Sequence, residues 1–81
     1  MAHAVERFLE MMAAERGASP RTQEAYRRDL ADFCETQSIA DPAQATTAEL
    51  RAYLRGLGDR GFATRTQARR LSALRQFFLF L

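Results

Sequence analysis

At 81 residues, 47% hydrophobic and 27% charged, the chain has material for one small domain, 1–81, with one core, since a chain of this size buries roughly 60% of its unfolded surface. A lone cysteine, Cys34, excludes an internal disulfide and suits a reducing compartment. No apolar run approaches the ~20 residues of a membrane span, and the opening MAHAVERFLEMM is broken by Glu6, Arg7 and Glu10 as no signal peptide is, so the expectation is a cytoplasmic protein with no membrane partner.

The formal net charge of +2 names no partner, but its distribution is uneven. Residues 1–40 hold five Arg against seven Asp and Glu, a balance of −2. Residues 41–81 hold seven against three, a balance of +4. All twelve basic side chains are arginine, whose planar fork suits phosphates and guanine edges, although GC-rich coding explains that bias equally well.

In chain order, Val5, Phe8, Leu9 and Met12 predict a first helix over Ala4 to Arg16, stopped at Gly17. Glu6, Glu10 and Glu15 make its outer face acidic, and His3 lies at its start. The second helix begins at Ser19-Pro20, a good N-cap followed by the residue that suits the first helical position. Tyr26, Leu30, Phe33 and Cys34 mark its buried side. Outside lie Arg21, Ala25 and Arg28, flanked by Thr22, with Glu24, Asp32 and Glu35 in the same outer half. Gln37 to Ala45 reads as a connector without helical periodicity, in which Ile39 tucks against the core. Thr46-Thr47-Ala48-Glu49 is a T-x-x-E capping box opening a third helix, with Leu50, Tyr53, Leu54 and Leu57 inward and Arg51, Arg55 and Arg60 on its flank; Gly61 ends it.

Thr64-Arg65-Thr66-Gln67 reads as a second box, T-x-x-Q, at the head of a fourth helix. Leu71, Leu74, Phe77, Phe78 and Leu81 form its apolar stripe, opposite Arg65, Arg69, Ser72 and Gln76. Arg70 falls at the stripe's edge, equally suited to an internal acid partner or to an anion outside. Leu79 and Phe80 fall off the stripe, so the helix ends apolar nearly all round. The fold class expected is all-α, a compact four-helix orthogonal bundle. Chemistry is sparse: there is no Gly-rich phosphate loop, no His/Cys/Asp cluster at metal spacing, and His3 is far in sequence from Cys34. Tyr26 and Tyr53 read as core residues with hydroxyls at the surface. The expected catalytic, cofactor-binding and metal-binding residues are therefore none, and the domain alone is not expected to be an enzyme.

Three segments carry a resemblance. FLEMMAAERGASPRTQEAYRRDLADFCE (8–35) and TTAELRAYLRGLGDRGFATRTQARRLSALRQFFLFL (46–81), with YRRDL (26–30) and RRLSALR (69–75) inside them, resemble the N-terminal, SAM-like core-binding domain of the tyrosine recombinases, the phage-type integrases, and especially the Xer-type enzymes. The resemblance covers nearly the whole chain. It implies a two-domain DNA breaking-and-joining enzyme of the chromosome-dimer-resolution or DNA-integration kind, in which this domain grips one side of a recombination half-site. A C-terminal catalytic domain, absent from this chain, would carry the Arg, Lys, His and Tyr that form a transient phosphotyrosyl link.

In that family the second and fourth helices face the major groove. Carried over by position, the DNA-binding residues implied are Arg21, Thr22 and Arg28, with Arg65, Thr66, Arg69, Ser72 and Arg75. The implied partners are double-stranded DNA and other recombinase subunits, with the isolated domain monomeric. Leu79 departs from the family, which more often places a polar or basic residue there; that surface could meet the linker, the catalytic domain or another subunit. Five arginines on phosphates would give a slope of log K against log salt of about −4 to −5, and alanine at Arg65 and Arg69 is expected to spare the fold. The alternative is a helical protein-protein interaction module docking through Phe77–Leu81. A stand-alone helix-turn-helix repressor is disfavoured because no dimerisation element is evident.

Overall fold

Local signals set the helix ends in the computed structural model, which describes residues 3–81. Helix α1 spans His3–Arg16, α2 Pro20–Gln37, α3 Thr47–Asp59 and α4 Thr64–Phe80; no strand occurs among the described residues. Gly17, at φ +64°, lets α1 close through the Ala18 N–H to Met12 carbonyl bond of 2.9 Å. Ser19 then caps α2, its hydroxyl accepting from the Thr22 N–H. The Thr46 box forms in both directions: Oγ1 accepts from the Glu49 N–H at 3.1 Å and Oε1 of Glu49 accepts from the Thr46 N–H at 2.8 Å. Such a cap is typically worth about 1 kcal/mol. Gly61, at φ +80°, turns the chain from α3 into α4.

Four expectations need correction. The second capping box does not form, because the helix starts one residue earlier in register: Ala63 is the N-cap and contributes no side-chain bond. Gln67 instead donates to the Phe62 carbonyl at 2.8 Å, tying the turn before the helix. The connector is not wholly irregular, since Pro42–Gln44 forms a 3-10 turn with Asp41 accepting from the Ala43 N–H. Phe80 is not off the core: its ring lies 5.7 Å from that of Phe8. Leu81, placed on the stripe by periodicity, follows the last helical turn and is exposed, as is Leu79.

α2 and α4 form the central pair, and α1 and α3 each pack against both. Val5, Phe8, Leu9 and Met12 of α1 meet Leu30 and Phe33 of α2, Tyr53 and Leu57 of α3, and Leu74 and Phe77 of α4 in one continuous core. Aromatic edges lock it: Phe8 to Phe77 at 5.5 Å and 83°, Phe33 to Tyr53 at 5.3 Å and 76°. Ile39 packs against this core from the connector. Gly56 and Gly58 are not there for close packing, since a Cβ at Gly56 would meet nothing within 4 Å and one at Gly58 only the end of Gln67.

Candidate nucleic-acid interface

Arg21, Arg28 and Asp32 recur at seven and four residues, which places them on one stripe of α2. Their fates differ along it. Arg21 and Arg28 are exposed, with Arg28 only loosely facing Glu24 at 3.8 Å. Asp32, expected on the outer half, is instead covered by α3, by the turn after it and by α4. The Tyr53 hydroxyl donates to it at 2.6 Å, Arg70 Nη1 at 2.6 Å, and Arg60 grips both its oxygens at 2.9 and 3.1 Å. Arg70 also donates to the Tyr53 hydroxyl at 3.1 Å. Both guanidinium groups lie over the Phe62 ring, Arg60 at 4.9 Å and Arg70 at 4.5 Å from its centre.

Burial alone would raise the Asp32 carboxyl pKa, but the hydrogen bonds from Arg60 and Tyr53 and the charges of Arg60 and Arg70 hold it below the usual carboxylate range. Burial, then the bond to Asp32, pushes the Tyr53 hydroxyl up to about 12. Arg70 is thus a structural residue: its side chain is 12% exposed. Of the two roles open to it on sequence, the internal one holds.

One residue of the seam escaped the sequence reading. Asp29 is 1% exposed and sits between α2 and α4, where Arg69 Nη1 donates to its Oδ2 at 2.6 Å. Arg70 Nε stands 3.8 Å from its Oδ1, too far for a hydrogen bond, and both those atoms are buried without a partner. Burial raises the Asp29 pKa, against the pull of Arg69, Arg70 and Arg28. The signal was present: Tyr26 and Phe33 bracket Asp29 at i−3 and i+4, so an acid stands inside an apolar stripe. Arg69 therefore has a structural partner as well as an exposed position, and removing it would strip a buried carboxylate of its one hydrogen-bonded cation.

The remaining candidates divide between two surfaces. Arg65 is exposed one turn before Arg69, and Ser72 is exposed nearly one turn after it, accepting from Gln76 at 3.2 Å. Gln76 in turn reaches the Tyr26 hydroxyl at 3.5 Å and accepts from Arg16. Thr66 is half-buried, and Thr22 is half-buried within the α2 cap, its Oγ1 accepting from Ser19 at 3.1 Å. The contacts of Tyr26 with Gln76, Asp29 with Arg69 and Asp32 with Arg70 join α2 to α4 along a seam, and Arg28 on α2 and the row Arg65, Arg69 and Ser72 on α4 are each exposed. Arg21 extends the row along α2. Arg75 stands apart, six residues and about a third of a turn from Arg69. It borders a groove of about 440 Å³ with Thr46, Leu50, Leu71, Phe78 and Leu79.

A family model described as the phage integrase N-terminal SAM-like domain matches residues 5–81. The chain belongs to that family. Its four helices, without strands among the described residues, are an all-α fold of the SAM-like kind. Among similar proteins, tyrosine recombinase XerD of Brucella abortus is 52% identical over 80 residues, covering 96% of this chain and 26% of the relative. XerD of Agrobacterium fabrum is 50% identical over 82 residues, 95% of this chain and 24% of the relative. Tyrosine recombinase XerC of Listeria innocua is 39% identical over 79 residues, 94% and 26%. The chain therefore spans about a quarter of the length of the curated relatives it matches. No solved structure matches it. Among the described residues no helix of this SAM-like domain is long and apolar enough to cross a membrane, and no three His, Cys, Asp or Glu side chains group as metal ligands would.

Proposed function

We propose that this domain binds double-stranded DNA as the N-terminal part of a cytoplasmic site-specific tyrosine recombinase. The first half of α2 and the first three turns of α4 would grip one side of a recombination half-site. The observation that supports the reading is that α2 and α4 are fixed to one another through Asp29 and Asp32 while Arg21, Arg28, Arg65, Arg69 and Ser72 on these two helices are all exposed. Arg21 and Arg65 have no ion pair among the described residues, so their charge is available to phosphates. The uncapped start of α4 adds its partial positive charge beside Arg65. Strand cleavage and rejoining, and assembly with other recombinase subunits, belong on this reading to the parent enzyme, whose catalytic domain would lie outside this chain.

On this reading three arginines rather than five are offered to phosphates. Arg69 is already neutralised by Asp29, and Arg75 lies on the groove side. With Arg21, Arg28 and Arg65 as the contacts, a fluorescence-anisotropy titration with a short duplex should give a salt slope near −3, at about 0.9 per phosphate. Arg65→Ala should flatten it by about 0.9. A salt-insensitive interaction, or none at low ionic strength, would contradict the proposal.

The groove favours a second reading. Leu79 is 79% exposed and Leu81 54%, next to an apolar hollow between the starts of α3 and the end of α4. A protein partner docking there fits an interaction module, and the two readings are compatible because they use different faces.

A further inference from the structure

Of the exposed arginines along the seam, Arg69 alone among the described residues is anchored to a buried acid. Its guanidinium is held through Nη1 by a carboxylate that is 1% exposed, while 45% of the Arg69 side chain remains open to solvent. Arg28 faces Glu24 at 3.8 Å with both side chains about two-thirds exposed, and Arg21 and Arg65 have no ion pair among the described residues. An arginine whose charge is cancelled locally gains little from a phosphate, because the attraction to the anion is offset by repulsion from the nearby carboxylate. An arginine fixed in orientation gains most where planar, two-pronged geometry matters. Guanine offers that target: its O6 and N7 acceptors in the major groove match the remaining edge of the guanidinium.

Resting on the DNA-binding reading above, we propose that Arg69 is a base-reading residue directed at a guanine edge, and that the buried Asp29 is the positioning residue that aims it, while Arg21, Arg28 and Arg65 supply sequence-independent phosphate contacts. The fold supports the division. Asp29 itself is immobilised between α2 and α4, with Arg70 behind it and Arg70 in turn held by Asp32 and Tyr53, so the aim of Arg69 is set by the same network that joins the helices.

The experiment is selection from a random-sequence duplex pool, with salt titrations on the same proteins and helical circular dichroism as the check on folding. The wild-type chain should enrich a G·C pair at one position by roughly tenfold or more, the scale of one good bidentate contact. Arg69→Lys keeps the charge beside Asp29 but loses the fork; it should abolish that enrichment with the salt slope unchanged. Asp29→Asn keeps the shape and one acceptor oxygen but frees the charge of Arg69; it should blunt the enrichment and steepen the slope by up to about 0.9. Arg65→Ala should do the reverse, flattening the slope with the enrichment intact. The assignment is overturned if Arg69→Lys retains the enrichment, if no wild-type enrichment appears, or if folded Asp29→Asn matches the wild type in both readouts. Failure of every protein to bind any duplex would instead remove the DNA-binding reading on which it rests.

Discussion

Arg70→Ala should destabilise the domain by about 3 kcal/mol or more, the scale found when one member of a buried ion pair is removed, and lower its melting temperature by roughly 15 °C. The side chain is 12% exposed and bonds both Asp32 and Tyr53, while standing beside the buried Asp29. Its loss leaves the buried Asp29 with Arg69 as its one neighbouring ion-pair partner and Asp32 with Arg60 alone, and removes the guanidinium from over the Phe62 ring. Arg60→Ala is the matched control. Its side chain is 41% exposed, so solvent already screens its pairing with Asp32 and the loss should stay within about 1 kcal/mol. Thermal unfolding followed by circular dichroism decides between them; equal effects of the two substitutions would show that the network is not organised around Arg70.

Phe77→Ala should cost roughly 3 to 5 kcal/mol, the range for removing a large buried ring. Phe77 is fully buried and meets Phe8 of α1 edge-on at 5.5 Å and Phe78 at 5.4 Å. The ring joins α4 to α1, so its removal opens a cavity where helices distant in sequence meet. Small domains of this kind have only about 5 to 15 kcal/mol in hand. Leu79→Ala, two residues away but 79% exposed, should change stability by no more than about 0.5 kcal/mol. Urea unfolding with unchanged m-value would report both; a loss below about 1 kcal/mol for Phe77→Ala would contradict the core described here.

Much of the fold was legible because helix ends and apolar stripes are local features. Gly17, Ser19-Pro20, Thr46 with Glu49, and Gly61 each act within one turn, and each was read correctly from its neighbours. The reading failed where register or tertiary cover decides. Thr64 and Gln67 have the spacing of a cap, yet Ala63 takes the cap position and Gln67 reaches back to Phe62. Asp32 shares the stripe of Arg21 and Arg28, and no period in the sequence says that α3 and α4 cover only the second half of that stripe. Arg69 sat correctly on the outer face of α4, but its tether to Asp29 spans forty residues of sequence. Periodicity therefore identified the surface that faces outward, and left unread which arginines on it are free and which are held.

The central claim is that the α2 and α4 seam is the DNA surface. Amide chemical-shift mapping of the chain during titration with duplex DNA at low salt tests it most directly. The expected result is perturbation concentrated at Arg21 to Arg28 and at Arg65 to Ser72, fading as salt rises, with the groove residues Thr46, Leu50, Phe78 and Leu79 unaffected. Perturbation confined to that groove, or none at any duplex concentration, would contradict the account.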